Sequence, residues 1–254
     1  MTSAPASLVR LEKVGRRFAN GTEALAGVDL DIRAGSFTTL LGPSGCGKST
    51  ILRLIAGLLA PSSGAIAWPG GAAATPGDIG FVFQEPTLMP WSTALGNVML
   101  PLELARVDRA QATARAMAAL QAVGLAGFER AVPRELSGGM QMRVSIARAM
   151  VTEPRLLLMD EPFAALDEIT RGRLNDDLLA LWASRRFTCI LVTHSVYESV
   201  YLAQRIVVMS ARPGRVVADL VVDAPYPRDP GFRLSEPYAE HCRRASAALA
   251  GAAA

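Results

Sequence analysis

The stretch Gly42-Pro43-Ser44-Gly45-Cys46-Gly47-Lys48-Ser49-Thr50 constrains this chain more than any other. The apolar run Ser36–Leu41 precedes it and reads as a buried strand; Ile51–Leu58 follows and reads as a helix with an apolar stripe. Strand, glycine-rich loop, Lys-Ser and helix is the setting in which G-x-x-x-x-G-K-[ST] forms a phosphate cradle. Glycines let backbone N–H groups converge on an anion with no Cβ in the way. The helix N-terminus adds its partial positive charge and its unpaired N–H groups. In such a loop Lys48 reaches the β- and γ-phosphates, and the Ser49 hydroxyl reaches Mg²⁺. The competing reading is a glycine-rich turn with an incidental Lys-Ser, which the full spacing disfavours. The motif implies a nucleoside triphosphate and leaves open what the nucleotide is for.

Two hundred and fifty-four residues suffice for one large α/β domain or for a domain with a small subdomain. Apolar residues make up 50%, enough for a sizeable core, and charged residues only 19%. A formal net charge of +3 is too weak to argue for nucleic acid. Cys46, Cys189 and Cys242 are odd in number and far apart, so neither a disulfide framework nor a zinc site follows. A reducing compartment is expected. Met1–Ser7 lacks a basic segment followed by an apolar run, so no secretory leader is expected. No apolar stretch approaches the length of a membrane span. Any membrane connection therefore has to come through a partner.

Strands are expected at Leu8–Val14, Val28–Ile32, Ser36–Leu41, Ala65–Trp68 and Ile79–Phe83. Asn20-Gly21 signals a hairpin turn, and Pro69–Ala74 a loop. From Gln84 to Val151 the texture changes. Asn97–Leu104 and the Ala-rich Arg109–Val123 favour helix, which gives a helical insertion between strands. Leu156–Met159, a helix over Arg171–Ala183 and Thr188–Val192 read as a βαβ unit in a parallel sheet. Ser195 and Glu198 suggest a capping box for the next helix, and Arg205–Ser210 and Val216–Val222 are late strands. The expected organisation is one α/β domain over residues 5–223 with a helical subdomain near 85–152, then a tail at 224–254 too short for another domain.

Two further segments carry chemistry. Leu156–Met159 ends in Asp160-Glu161, placing two carboxylates at the carboxyl edge of a parallel sheet, where ligands sit in such folds. Alone, that pair reads equally well as a solvated turn or a helix cap. Leu136-Ser137-Gly138-Gly139-Met140-Gln141 opens a helix through Met150 and is a second anion-binding helix start, or else a glycine-rich cap. Either the chain binds two phosphate groups, or the second start serves a nucleotide held by another copy.

Over Leu8 to about Val217 the sequence resembles the ATP-binding subunit of an ABC transporter. The resemblance implies an α/β P-loop NTPase core with a mixed sheet, an N-terminal antiparallel β subdomain and a helical signature subdomain. It also implies that Ser137, Gly138 and Gly139 complete the site of a second subunit, so that two copies sandwich two ATP molecules head to tail. Phe18 matches the aromatic that stacks on adenine, although Phe is less usual there than Tyr. Gln84 matches the glutamine that contacts Mg²⁺ and couples to the permease. Asp160 matches the carboxylate that holds Mg²⁺ with Ser49, and Glu161 the residue that polarises the attacking water. Ala165-Leu166-Asp167 matches the segment that crosses the dimer interface, and His194 the switch histidine at the γ-phosphate. Met140 before Gln141 departs from the commonest signature without removing Ser137, Gly138 or Gly139. Cys46 is expected only to fill space, and His241 to be ordinary surface.

The resemblance further implies ATP hydrolysis coupled to transport through separate transmembrane permease subunits, at the cytoplasmic face of a bacterial inner membrane. A periplasmic solute-binding protein would take part indirectly, and no nucleic acid is implied. The run Gln84–Trp91, the run Asp160–Asp167 with Thr170-Arg171, and Arg212-Pro213-Gly214-Arg215 look like importers of nitrate, taurine and aliphatic sulfonates. The alternative within the family is the ATPase subunit of an exporter or lipoprotein-release system. The DNA-repair members need a long coiled coil that Gln84–Leu136 is too short to supply, and the ribosome-associated members usually carry two ATP domains. Leu88-Met89-Pro90-Trp91 suggests a partner contact, with Trp91 as a core anchor the competing reading.

Overall fold

The computed structural model describes residues 6–69, 77–226 and 228–253. In chain order its elements are β1 (Ser7–Arg17), β2 (Glu23–Arg33), β3 (Phe37–Leu41), α1 (Lys48–Ile55), β4 (Ser63–Ala67), β5 (Ile79–Val82), α2 (Ala94–Leu104), α3 (Arg109–Ala122), α4 (Gly138–Met150), β6 (Leu156–Asp160), α5 (Glu168–Arg185), β7 (Thr188–Thr193), α6 (Val196–Leu202), β8 (Arg205–Met209), β9 (Val216–Val221) and α7 (Glu236–Ala253). They divide into two compact units, Met1–Ala74 with Arg186–Ala254, and Thr75–Arg185. The loop expected at Pro69–Ala74 lies outside the described residues apart from Pro69.

In the first unit β1 pairs antiparallel with β2 on one side and β4 on the other. Val9 and Leu11 are buried while Arg10 and Glu12 are exposed, the two-residue period of a strand with one face in the core, and register shifts on either side bring Leu8 and Val14 in as well. The β1–β2 connection closes as Asn20-Gly21 requires. Asn20 Oδ1 accepts from the Thr22 N–H at 3.1 Å, and Gly21 takes a φ of 82°. The second sheet of this unit is built on β3, which runs parallel to β7 and to β8, with β9 antiparallel to β8. All five residues of β3 are buried, as expected for a strand covered on both faces.

Helix α1 is shorter than its apolar run suggests. The Gly57 N–H donates to Leu54 O and the Leu58 N–H to Arg53 O, with Gly57 at φ 70°. That is a Schellman stop, in which glycine supplies the left-handed turn. The tail, in turn, is folded. Arg228 donates to the carbonyls of Val200, Tyr201 (2.6 Å) and Ala203 (2.8 Å), satisfying the open end of α6. Tyr238, Cys242 and Ala245 of α7 are buried, and the Tyr238 hydroxyl donates to Tyr197 O at 3.2 Å.

In the second unit β5 and β6 pair in parallel, and α2, α3 and α4 pack together around Leu102, Ala116, Leu120 and Val144. Helix α2 begins before the expected Asn97 because the Thr93 hydroxyl accepts from the Gly96 N–H at 3.1 Å. Helix α5 likewise begins before Arg171, because Asp167 caps it: its Oδ1 accepts from the Thr170 N–H at 2.9 Å. No helix of the described residues is long and apolar enough to cross a membrane.

Candidate functional site

In the first unit the register places Leu41 beside Thr193, so the loop Gly42–Thr50 and His194 leave the sheet side by side at one edge. The loop is tight. Gly45 and Gly47 take φ values of 75° and 97°, which L side chains rarely adopt. A Cβ on Gly47 would lie 2.6 Å from Leu25 Cδ2 and 2.9 Å from Ala24 O. One on Gly42 would lie 2.9 Å from both Cys46 Sγ and Met209 O. The glycines are therefore required by packing as well as by conformation. Cys46 is 1% exposed and fills space, as expected. Lys48 is buried, and its Nζ donates to Gly42 O at 2.8 Å and Pro43 O at 3.0 Å, which folds the ammonium over the loop. Pro43 and Ser49 are half-buried, Ser44 is exposed, and Thr50 is buried on α1.

The hairpin end at Ala24–Leu25 lies against this loop, as the Gly47 contacts show. Phe18, in the hairpin turn, is half-buried, and the Arg16 guanidinium covers its ring at 5.0 Å. Below His194 a buried relay differs from the simple capping box expected there. Ser195 Oγ accepts from the Glu198 N–H at 3.2 Å, while the Ser195 N–H donates to Thr193 Oγ1 at 3.0 Å. The Thr193 hydroxyl donates to Glu198 at 2.5 Å. The backbone on both sides of His194 is thereby fixed.

In the second unit Val82 stands beside Met159, so Gln84 and the pair Asp160-Glu161 leave β5 and β6 at one edge. Asp160 is 8% exposed and Gln84 is exposed. Glu161 takes φ 47°, a left-handed conformation uncommon outside glycine and concentrated at functional sites. The loop after it is held by a residue that sequence reading used only as a subfamily mark. Arg171 donates to Phe163 O (3.2 Å), Ala164 O (3.4 Å) and Leu166 O (2.8 Å). Asp167 ends this loop, and the Thr170 N–H bond holds its carboxyl below the ordinary 3.8.

Ser137 caps α4 by accepting from the Met140 N–H at 3.3 Å. Gly138 and Gly139 do not precede the helix but form its first turn, beyond the Ser137 cap. A Cβ on Gly139 would lie 2.7 Å from Thr170 Cγ2, so the start of α4 packs tightly on α5. Gln141 Nε2 donates to Pro133 O at 3.0 Å and Leu136 O at 3.1 Å, pinning the turn ahead of Ser137. The Met140 departure leaves this arrangement intact.

Two residues that the sequence did not mark shape the loop after Gln84. Buried Asn97 donates to Met89 O, Ser92 O and Thr93 O and accepts from the Met89 N–H at 2.7 Å. Arg148, on α4, donates to Pro86 O and Thr87 O, both at 2.9 Å, and to Thr87 Oγ1 at 3.0 Å. Burial pushes its guanidinium pKa down. Trp91 is 80% exposed, which overturns the core-anchor reading. Beside the loop lies a groove of about 570 Å³, lined among others by Phe81, Phe83, Thr87, Leu100, Pro101 and Leu104.

Oxygen donors dominate the residues matched to a metal: the Ser49 hydroxyl, the Gln84 amide and the Asp160 carboxylate. Each is an oxygen donor of the kind that Mg²⁺, a hard cation, takes. Among the described residues no cluster of three or more His, Cys, Asp or Glu forms a cage for another metal.

The family model for ABC transporters matches residues 25–164. The chain is 47% identical over 220 residues to an uncharacterized ABC transporter ATP-binding protein of Methanocaldococcus jannaschii, covering 86% of this chain and 82% of that one. It is 47% identical over 208 residues to the taurine import ATP-binding protein TauB of Rhizobium johnstonii, covering 82% and 79%. Against the aliphatic sulfonates import ATP-binding protein SsuB of Bacillus licheniformis the identity is 46%, covering 82% and 80%. Among solved structures it superposes on cbiO1 of Clostridium perfringens, part of the ABC transporter complex cbiONQ, with a TM-score of 0.78, 27% identity and coverage of 94% and 99%. It superposes on the dimeric ATP-binding cassette MJ0796 bound to ADP and Pi with a TM-score of 0.75, 32% identity and coverage of 86% and 100%.

Proposed function

We infer the function of this chain from one premise: it belongs to the ABC transporter family, as an ATP-binding ATPase. We propose that it is the energy-supplying subunit of an importer for a small sulfonate-type or related solute, acting through a separate permease at the cytoplasmic face of the membrane. The observation that carries this reading is its 46–47% identity to taurine and aliphatic sulfonate import proteins over about four-fifths of their length. The apolar groove lined by exposed Leu104, in the same unit as exposed Trp91, supports a permease segment docking on the second unit.

The proposed chemistry is phosphoryl transfer to water, in which positioning and charge neutralisation do most of the work. Lys48 and the N–H groups of Gly45–Thr50 bind the phosphates, and Phe18 stacks on the adenine. Ser49, Gln84 and Asp160 would hold Mg²⁺, which when bound would neutralise charge on the phosphates. Glu161 orients the attacking water and takes its proton. His194, with Ser137 and Gly139 of a second copy, stabilises the charge that spreads over the γ-phosphate. Asp167 lies in the segment assigned to the interface between copies. ATP then bridges two copies and hydrolysis removes the bridge, so the bistable element is the dimer interface.

Reconstitution tests the importer reading. The chain is co-expressed with the permease encoded beside it and placed in proteoliposomes with the neighbouring solute-binding protein. Taurine or an alkanesulfonate should stimulate ATP hydrolysis in this system. A complex that co-purifies with an exporter or lipoprotein-release permease, and ignores every solute-binding protein, would replace import with the alternative. Specific activity should also rise with subunit concentration; a demonstrably monomeric sample whose specific activity is independent of concentration would refute the shared site.

A further inference from the structure

The turn between β8 and β9 touches the phosphate loop along its length, and the assignment of that loop to ATP gives no account of why. Met209 O packs against Gly42, as the 2.9 Å approach of a Cβ there shows. A Cβ on Gly214 would lie only 2.0 Å from Cys46 O, so this glycine is pressed onto the loop backbone. Between them Arg212 donates to Gly45 O from two nitrogens, at 3.1 Å and 3.3 Å. The turn is itself anchored. The Ala211 N–H donates to Ala252 O at 3.0 Å in the last turn of α7. The Gly214 N–H donates to Ala24 O at 2.9 Å, and the Ala26 N–H to Gly214 O at 3.1 Å. Ser210 Oγ accepts from the Arg215 N–H at 3.1 Å.

We propose that Arg212 is a positioning residue for the phosphate loop: by holding the Gly45 carbonyl outward, it keeps the Cys46 N–H turned into the loop, where a nucleotide phosphate binds. One peptide unit couples the two groups. In a trans peptide the C=O and the following N–H point in opposite directions, so fixing one fixes the other. The Cys46 N–H does point inward, donating to Pro43 O at 3.4 Å. That bond is long, and a phosphate oxygen can take it over. Gly45, at φ 75°, has no side chain to restrain the peptide, so the restraint comes from outside the loop. The guanidinium is exposed, and its role is to orient rather than to touch phosphate.

The inference rests on the ATPase reading, and the test separates the two. Binding of ATP with Mg²⁺ is measured by calorimetry on the full chain, together with the melting temperature without nucleotide. Arg212→Ala should weaken ATP binding about fivefold, the effect of losing one exposed charge-assisted hydrogen bond. Its nucleotide-free melting temperature should stay within about 2 °C of the parent. Arg212→Lys, with charge but no fork, should fall between. Arg215→Ala removes an equal charge from the same turn and should bind as the parent does. Gly214→Ala disturbs the brace from its other end and should also weaken binding. Parent-like affinity in Arg212→Ala or Gly214→Ala overturns the proposal, as does equal weakening by Arg215→Ala, which would make the effect one of general charge. A parent chain that binds no ATP overturns the ATPase reading itself.

Discussion

Replacing Arg148 by alanine separates nucleotide binding from the loop that follows Gln84. The guanidinium makes bonds of 2.9, 2.9 and 3.0 Å to Pro86 O, Thr87 O and Thr87 Oγ1. Thr87 is a β-branched residue at φ 47°, a conformation that costs energy and must be held by its surroundings. Each bond contributes about 1 kcal/mol net, and the freed carbonyls lie near water and can rehydrate, so the local loss is about 2–3 kcal/mol. At about 1.4 kcal/mol per decade, the loop should open roughly 30- to 150-fold more often. Hydrogen exchange on the full chain reads this directly, because amides of the segment 85–91 should lose protection by that factor. Arg148 braces the segment after Gln84 rather than the phosphate loop, so ATP affinity by calorimetry should be unchanged. Stimulation of hydrolysis by the permease should fall, since the Trp91 loop no longer presents a fixed surface. Arg148→Lys should recover only part of the protection, because an ammonium cannot span two carbonyls and a hydroxyl as a fork does. Unchanged protection in the segment 85–91 would refute the brace, and lost ATP affinity would refute its confinement to the loop.

Three further outcomes follow from the site. Lys48→Ala should weaken ATP binding by about 10- to 100-fold, the effect of removing a charged donor to phosphate; calorimetry giving parent affinity would count against the phosphate-loop assignment. Glu161→Gln should keep ATP binding, lose about 10²- to 10⁴-fold in turnover as expected for a general base, and accumulate a closed dimer detectable by light scattering; near-normal turnover would remove Glu161 from that role. The Asp167 carboxyl is depressed below 3.8 by the Thr170 N–H, so the ionised form is favoured in the folded chain. The cap's contribution is therefore complete above the unfolded carboxyl pKa and fades as pH falls through the folded value. Asp167→Asn should flatten that acid-side dependence of the melting temperature, and a carbon-13 titration placing Asp167 at or above 3.8 would contradict the cap.

Much of the fold was legible because its signals are local. The five buried residues of β3, the alternation of β1 and the turn chemistry of Asn20-Gly21 each depend on neighbours a few positions away. The motifs we assign to the nucleotide, Gly42–Thr50 and Ser137–Gly139, are contiguous and readable by spacing for the same reason. Element ends were less so. Helix α5 starts at Glu168 because Asp167 acts as its cap, whereas its sequence motif points only to an interface. The run through Leu58 continues the apolar stripe of α1, but Gly57 stops the helix after Ile55. The fold of the tail was hidden because its cause is distant: Arg228 reaches back to carbonyls of α6, and a carbonyl has no letter in the sequence.

That last reason explains what was missed at the site. Arg148, Arg171 and Arg212 each grip backbone carbonyls of a loop bearing a residue at positive φ: Thr87 at 47°, Glu161 at 47° and Gly45 at 75°. These loops need conformations that their own residues do not hold strongly, because each must present polar groups outward rather than bury them. A helix or strand satisfies its carbonyls by repetition, but a functional loop does not, and an external donor supplies the restraint. Arginine suits that task, since its planar fork reaches several acceptors and stays charged. The residues proposed to touch a nucleotide are thus recognisable by motif, while those that hold the loops in place are recognisable only by geometry. Substitutions at the two groups should accordingly differ in kind. Loss of a contacting residue such as Lys48 should remove an interaction with ATP outright. Loss of a bracing arginine should widen the range of conformations of its own loop and weaken what that loop does by a smaller factor, ATP binding for Arg212 and coupling to the permease for Arg148, partly restored by lysine.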